Sequence, residues 1–347
     1  MKKIFVLIIV CFTLALPVLA VNRSHHPLPA FNIEIVKKVS LELEDIKGPD
    51  AKGRPSSPNN KTKDGAATGI LGDYPVTGDK YAIVIGICDY PGTSLDLCHS
   101  DGDSLHMYKT LTEVYGYEPE NISLFKDGGG ETGFVVNDTK AKKIAGIPTY
   151  DNISNAVDSI RNNPNLTADD EVVFFFSGHG TRGIASDRDD EFTDEGIVVW
   201  DDGNDTEGDI AYIWDGELRD WFNGFITSRI VFVFDSCLAG GMNDVAADGR
   251  VVAMATEETK SAYVYSTAGE DVDGDGIADG EGVFSRYFVN KGMLQNLADV
   301  HDYVGAGGDE SATVEEAFDY AKQNIPPYLK NRQKPVISDD FIDDLLF

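Results

Sequence analysis

Short apolar runs recur along the chain from residue 80 onward, and polar segments separate them. The clearest are KYAIVIGI (80–87), EVVFFFS (171–177) and RIVFVFD (229–235), whereas NISLFKD (121–127) and SAYVYST (261–267) are weaker. Runs this short and this rich in Val, Ile and Phe are typical of strands buried on both faces. The pattern therefore predicts five strands.

Amphipathic helical segments fill the intervals between these runs. We predict helices near 103–116, at 152–163, at 215–225 and at 313–325, the last of them ended by two prolines. Strands that alternate with helices indicate an α/β fold with a mostly parallel central sheet and helices on both faces. In such a sheet the functional groups gather at the carboxyl ends of the strands.

The N-terminal part of the chain has a different organisation. Two lysines precede an apolar run that ends in small residues at Ala20, which is the pattern of a secretory signal peptide over 1–20. An uncleaved membrane anchor is the alternative. We interpret 21–75 as a pro-segment or linker, because 47–69 is rich in Gly, Pro, Ser, Asn and Lys. Residues 76–347 would form the folded domain of a protein that is secreted or held at the cell surface, with no further membrane span.

The charge of the chain is strongly unbalanced. It carries 59 acidic and 29 basic residues, for a formal net charge of -30 at pH 7. Such a surface repels nucleic acid and anionic lipid, so neither is an expected partner. It suits metal cations and cationic substrates, and solubility outside the cell is the simpler explanation of most of the excess.

Two of the predicted strands end in residues that can perform chemistry. Ser177, His179 and Gly180 follow one strand, and Asp235 and Cys237 follow another. Adjacent parallel strands would bring the imidazole and the thiol to the same edge, where the imidazole can take the thiol proton. Each residue alone is more simply interpreted as a packed thiol or a loop histidine. Together, at two strand ends flanked by glycine, they predict a catalytic Cys–His dyad.

The motifs around this pair resemble those of a known family. SGHG and DSC-x-x-GG, whose His179 and Cys237 are 58 positions apart, are similar to the H-x-S-G-H-G and D-C-C-H-S-G motifs of the caspase-like cysteine peptidases, most closely the metacaspase branch. The resemblance spans about residues 80–340 and includes EGVFSRYFV. Ser236 and Leu238 stand where the family has Cys and His.

The resemblance implies a fold and a set of roles. The fold would be that of the caspases and legumains, with a mostly parallel central sheet. Cys237 would attack the peptide carbonyl, His179 would act as acid and base, and the backbone N–H groups of Gly180 and Cys237 would bind the oxyanion.

A specificity pocket is also implied by the resemblance. It would be lined by Cys98, Asp101, Ser177 and Asp235, of which Cys98 and Asp101 belong to LDLCHSDG. Two carboxylates in one concave site favour a cation, so the expected substrates are proteins or peptides with Arg or Lys before the scissile bond. A helix N-cap is the alternative role for Asp101.

Two acidic loops suggest calcium as a cofactor, because calcium prefers carboxylate oxygens. By resemblance the first site would use Asp194, Asp215 and Asp244, and a solvated acidic loop is the alternative. The second loop, DVDGDGIADGEG, places carboxylates at the 1, 3, 5 and 9 positions of a calcium loop: Asp271, Asp273, Asp275 and Asp279. Its position 12 is Gly282, where a bidentate Glu belongs.

The combined prediction is a secreted cysteine endopeptidase that cleaves after Arg or Lys and is activated by calcium. Such an enzyme would meet its own preferred residues in 47–69, so we expect self-processing there, after Lys52, Lys61 or Lys63. Two alternatives stay open at this point. One is a legumain-like peptidase that cleaves after Asn, and the other is a calcium-binding surface protein whose peptidase site is vestigial.

Overall fold

A computed structural model describes residues 27–41, 65–72, 78–90, 94–97, 100–126, 144–187, 191–201, 210–265, 280–299 and 311–347. The predicted signal peptide lies outside these residues. None of the helices in the described part is both long and apolar enough to cross a membrane.

The chain forms fourteen strands and five helices within the described ranges. The strands are β1 (Ala30–Val36), β2 (Val39–Leu41), β3 (Lys80–Gly86), β4 (Ile122–Lys126), β5 (Ile144–Gly146), β6 (Glu171–Ser177), β7 (Gly180–Ala185), β8 (Asp194–Trp200), β9 (Ile210–Trp214), β10 (Ile230–Asp235), β11 (Arg250–Met254), β12 (Tyr263–Tyr265), β13 (Glu281–Gly282) and β14 (Val336–Asp339). The helices are α1 (Ser100–Lys109), continued by a wider turn over Thr110–Val114, α2 (Tyr150–Arg161), α3 (Asp215–Phe222), α4 (Val283–Ser285), continued over Arg286–Leu294, and α5 (Val314–Asn324). Short 3₁₀ turns cover Pro119–Asn121 and Ala239–Val245.

Seven strands form the central sheet, in the order β14-β11-β10-β6-β3-β4-β5. All neighbours are parallel except β14, which runs antiparallel to β11 at one edge. Four of the five predicted strands are β3, β4, β6 and β10 of this sheet. The prediction of an α/β fold with a mostly parallel sheet is therefore confirmed.

Helices cover both faces of this sheet because its strands are apolar on both sides. Val84 of β3 lies in one buried cluster with residues of α1 and α5, whereas Ile83 lies in a second cluster with residues of α2 and α3. Alternate residues of one strand thus face different helical layers. The carboxyl edge of the sheet is left for the functional groups.

The weakest predicted strand, SAYVYST, lies outside the central sheet. Its described part is β12, which pairs antiparallel with β13 and parallel with β2 in a small separate sheet. The strand beyond β10 is instead β11, RVVAM, which the sequence pattern did not single out. Five residues that begin with a buried arginine give too short an apolar run to be recognised.

The N-terminal segment belongs to the folded structure. β1 pairs antiparallel with β7, which forms a four-stranded sheet with β8 and β9. Residues 65–69, which we expected to be exposed linker, are also held. The backbone N–H groups of Ala66 and Ala67 donate to Asp319 at 2.8 and 3.0 Å, and those of Thr68 and Gly69 donate to Asp344 at 2.7 Å. The linker interpretation is therefore wrong for this end of 47–69, and the rest of that stretch lies outside the described residues.

We predict that Phe174→Ala will destabilise the protein by about 3–5 kcal/mol, the usual cost of deleting a fully buried aromatic side chain. Phe174 is fully buried at the centre of the sheet, and its ring lies 5.8–6.1 Å from the rings of Phe222, Phe232 and Phe234. Urea unfolding would measure the change. Phe192→Ala is the control, because that side chain is 83% exposed and its loss should change stability by less than about 0.5 kcal/mol. Equal unfolding midpoints for the two variants would contradict the assignment.

Candidate active site

The parallel pairing of β6 and β10 brings the two candidate catalytic residues to one edge. Ser177 and Asp235 are partners in the register of these strands. His179 and Cys237 each follow two residues later, so both lie just beyond the same carboxyl edge. Both are 1% exposed.

The imidazole of His179 is held on three sides. The ring of Tyr90 stacks on it with centroids 4.8 Å apart, and the Tyr90 hydroxyl accepts the His179 backbone N–H at 2.8 Å. Nδ1 accepts the backbone N–H of Lys38 at 3.2 Å, and Nε2 lies 2.7 Å from the carbonyl oxygen of Leu95. An N–H can only donate and a carbonyl can only accept, so the proton is on Nε2. Burial lowers the pKa of His179 to about 4, and the ring is neutral.

The thiol of Cys237 is likewise engaged by backbone groups. Sγ accepts the N–H of Ala262 at 3.1 Å and donates to the carbonyl oxygen of Lys37 at 3.2 Å. Burial raises the pKa of Cys237 to about 11. The thiol is therefore protonated at neutral pH, and the described arrangement is not a thiolate–imidazolium pair.

The backbone around Cys237 is tightly constrained. A Cβ on Gly180 would lie 2.0 Å from the carbonyl oxygen of Cys237, so only glycine fits at the start of β7. Leu238, directly after the thiol, has a φ of 60°, a left-handed conformation that non-glycine residues rarely adopt. This turn carries the chain from β10 into the 3₁₀ turn at Ala239–Val245. The oxyanion role of the Gly180 and Cys237 N–H groups stays a prediction.

Two buried carboxylates lie beside the dyad. Asp235 is fully buried, and Asp103 of α1 is 1% exposed. Asp235 ends β10, and the Ser177 hydroxyl at the end of β6 donates to Asp103 Oδ2 at 2.6 Å. Asp101, which we expected in this pocket, lies two residues earlier in α1 and is half-buried. Its backbone carbonyl accepts the Ser104 hydroxyl at 2.6 Å. The structure thus places Asp103, rather than Asp101, against Ser177, and Cys98 lies outside the described residues.

The EGVFS segment closes the pocket from the opposite side. The N–H of Gly282 donates to Asp103 Oδ1 at 2.9 Å, and both the N–H and the hydroxyl of Ser285 donate to Asp235 Oδ2, at 2.9 and 2.7 Å. A Cβ on Gly282 would lie 2.2 Å from that same Oδ2. These contacts explain the glycine at position 282 and the hydroxyl three residues later.

The side chain of Lys38 occupies this pocket. Its Nζ lies 3.0 Å from Asp235 Oδ1, 2.8 Å from Ser177 Oγ and 3.9 Å from Asp103 Oδ2. Lys38 is only 5% exposed. Burial raises the pKa of Asp103 well above its usual range, and the ammonium of Lys38 opposes that rise. The pocket is thus shown accepting a cationic side chain.

A separate carboxylate cluster lies near the turn that follows Cys237. Oxygens of Asp187, Asp194 and Asp215 all lie within 4.8 Å of one another, and all three residues are buried. Asp244, the third ligand expected from the sequence, is paired instead with Arg219, whose Nη1 lies 2.9 Å from Asp244 Oδ2. The structure therefore brings together two of the three expected residues and adds Asp187, which the sequence reasoning missed.

The cluster is electrostatically unfavourable without a cation. Burial and neighbouring carboxylates raise the pKa of Asp215 to about 9 and that of Glu195 to about 8. Within the described residues, no donor reaches Oδ2 of Asp215 or Oε2 of Glu195. Hard carboxylate oxygens in this arrangement fit Ca²⁺. Glu195 belongs to a second acidic group, with Glu191 and Asp215, and packs against Gly241 in the turn after the thiol, where a Cβ would lie 2.4 Å from its Oε2.

The second predicted calcium loop, with Asp271, Asp273, Asp275 and Asp279, lies outside the described residues. Sequence reasoning missed Tyr90, Asp103 and Lys38, all of which contact the dyad or the pocket. No periodic pattern singles out Asp103, because eight of the ten residues of α1 are buried. Tyr90 and Lys38 carry no sequence signal either.

Comparison with known proteins agrees with these motifs. Residues 80–246 match the family model described as "Metacaspase, peptidase C14 domain". Metacaspase-4 of Arabidopsis thaliana is 33% identical over 172 residues, which cover 49% of this chain and 35% of that protein. Metacaspase-1 of Cryptococcus neoformans is 28% identical over 238 residues, which cover 64% of this chain and 43% of the relative.

The chain thus matches less than half of the length of these two curated relatives. The matched segment contains β3 to β10, both dyad residues and the first carboxylate cluster. Residues 80–246 thus match a metacaspase peptidase C14 domain, and this part of the chain has the parallel sheet and the Cys–His pair that the resemblance to caspase-like cysteine peptidases implied.

Proposed function

We propose that the protein is a cysteine endopeptidase that cleaves peptide bonds after Arg or Lys. One observation carries the proposal. A buried thiol and an imidazole share one sheet edge with a two-carboxylate pocket that accepts a lysine ammonium, Nζ to Asp235 Oδ1 being 3.0 Å. The metacaspase family match supports the reaction class.

The chemistry follows from the tautomer of His179. Nδ1 carries no proton, so it can take the proton of Cys237 as the thiolate attacks the substrate carbonyl carbon. The tetrahedral oxyanion would be met by backbone N–H groups of the glycine-lined turns. His179 would then give its proton to the leaving amine, and water would release the acyl group from sulfur.

The pocket supports a cationic residue before the scissile bond. Asp103 and Asp235 are both buried, and an ammonium or guanidinium compensates the cost of burying them. A neutral Asn side chain, as in a legumain-like peptidase, would leave this negative charge unmatched. Hydrolysis of a peptide by the purified protein would exclude the alternative of a vestigial peptidase site.

Two finer properties belong to the same proposal. Calcium bound at Asp187, Asp194 and Asp215 would relieve repulsion beside the turn that carries Cys237. Self-processing between residues 47 and 64, after Lys52, Lys61 or Lys63, would separate the N-terminal segment from the peptidase domain. We also propose that the protein is exported, on the signal pattern at 1–20.

Cys237→Ala and His179→Ala should each lower kcat for a Lys- or Arg-containing peptide by roughly 10³-fold or more, because each removes half of the dyad. Peptide hydrolysis with calcium present would measure this, and mass spectrometry of new N-termini would detect self-processing. Cys88→Ala is the matched control, since it removes another thiol from outside the dyad. Wild-type activity in purified Cys237→Ala would refute the mechanism.

Asp103→Asn and Asp235→Asn should each lower kcat/KM for Arg and Lys peptides by about 30-fold or more, from a loss of roughly 2–5 kcal/mol when one member of a buried charge pair is removed. A peptide panel with Arg, Lys, Asn or Asp before the scissile bond would measure specificity. Asp101→Asn provides the sharpest comparison, because the structure predicts a smaller effect there than at Asp103. A larger effect at Asp101 would favour the pocket expected from the family resemblance.

Calcium should bind at least about tenfold more tightly at pH 8 than at pH 6, because ligand carboxyls with raised pKa values must lose protons before they coordinate metal. The pKa of Asp215 is raised to about 9, so that group is protonated at pH 6 and is progressively released as pH rises. Calorimetry would measure the affinity. Asp215→Asn should weaken binding, and Asp169→Asn, at an exposed position, should not. No binding at millimolar calcium would overturn the assignment.

A further inference from the structure

The N-terminal segment Ala30–Leu41 runs through the active site as an added strand. On one side β1 extends the sheet of β7, with Val36 opposite Gly180. On the other side β2 extends the sheet of β12, with Val39 opposite Tyr263. The two strands clamp the intervening Lys37–Lys38 dipeptide directly over the dyad. Peptide ligands of many proteins bind in this way, through backbone pairing at exposed sheet edges.

The side chain that this segment inserts matches the pocket. Lys38 is the residue whose Nζ lies between Asp235, Ser177 and Asp103. Its two chain neighbours, Lys37 and Val39, are exposed. One cationic side chain is therefore buried in the pocket while the residues on both sides of it face outward, which is the pattern of a bound ligand strand.

The backbone of the segment is presented in the wrong position for cleavage after Lys38. Cleavage there would require the Lys38 carbonyl carbon at the thiol. The carbonyl that the thiol contacts instead belongs to Lys37, with Sγ 3.2 Å from its oxygen. The N–H of the Lys38–Val39 amide is engaged as well, because it donates to the carbonyl of Ala262 at 2.9 Å.

The segment also occupies both catalytic groups. The Lys38 N–H donates a hydrogen bond to Nδ1 of His179, the nitrogen that must accept the thiol proton. The thiol proton is directed to the Lys37 carbonyl. Neither partner is thus available to the other while the segment is seated.

We propose that residues 30–41 are a built-in competitive inhibitor of this site, with Lys38 in the specificity pocket and the backbone held in a register that the dyad does not cleave. The inhibition rests on the function proposed above, whereas the occlusion of Cys237 does not. The ligand class is an extended peptide with one buried Lys, supplied here by the chain itself. Self-processing in 47–64 would convert this tethered inhibitor into a dissociable one, because the tether sets its effective concentration.

The test uses the full chain and two readouts. Lys38→Ala should raise peptidase activity by at least about tenfold, since activity scales with the fraction of protein whose site is open. It should raise the rate of Cys237 alkylation by iodoacetamide by a similar factor, read by mass spectrometry of the Cys237 peptide. Lys330→Ala, which removes an exposed lysine near the C-terminus, is the matched control and should behave as wild type.

A second variant keeps the test decisive if Lys38→Ala does not fold. Val39→Pro retains the pocket lysine but removes the N–H that donates to Ala262, and should also raise both rates. Unchanged alkylation of Cys237 in the folded variants would overturn the proposal. Faster alkylation without any peptide hydrolysis would support the occlusion and count against the proposed peptidase function instead.

A synthetic peptide of residues 30–41, AFNIEIVKKVSL, tests the inhibitor directly. Added to the Lys38→Ala protein, it should inhibit hydrolysis and slow alkylation, and the same peptide with Ala at position 38 should be at least about tenfold weaker, because it lacks the buried cation. The peptide should be recovered intact. Its cleavage at Lys37–Lys38 or Lys38–Val39 would show a substrate rather than an inhibitor and would overturn the proposal.

Discussion

Two carboxylates buried at the carboxyl edge of the sheet impose the main constraint on this protein. Asp235 ends β10 and Asp103 lies in α1, and each is almost completely inaccessible to water. Burying such charges is costly unless hydrogen bonds and a cation compensate them. Gly282 and Ser285 supply hydrogen bonds from one side, and Lys38 supplies the cation. The pocket, the EGVFS segment and the N-terminal strand are thus parts of one electrostatic arrangement.

The same burial determines the state of the dyad. Desolvation favours the neutral form of both groups, so the pKa of His179 falls to about 4 and that of Cys237 rises to about 11. A thiol and an imidazole in these states make a poor nucleophile and an idle base. Water entering in place of the N-terminal strand would reduce the desolvation and move both pKa values toward each other. The position of the strand and the chemical activity of the site are therefore physically coupled.

The sequence predicts the sheet well because buried parallel strands are short and apolar, as β3, β6 and β10 are. It also predicts the placement of His179 and Cys237, since both follow such strands directly. It does not predict β11, whose apolar run is too short, or the choice of Asp103 over Asp101, which depends on the rotation of α1 against the sheet. Nor does it predict that the side chain of Lys38 occupies the pocket. The pairing of the N-terminal strands with β7 and β12 joins residues more than 140 positions apart, and no local pattern records it.

Acidic side chains and the N-terminal strand both lie close to Cys237 and the turn that follows it. Glu195 packs against Gly241 in the turn that follows Cys237, while Lys37 and Lys38 contact the dyad itself. A cation at Asp187, Asp194 and Asp215 would hold the negative charge that otherwise repels within the cluster, and so would fix the turn. It would not displace Lys38, because the pocket carboxylates are a different pair. On the proposals made above, metal binding and release of the strand would therefore be separable steps, because they involve different carboxylates.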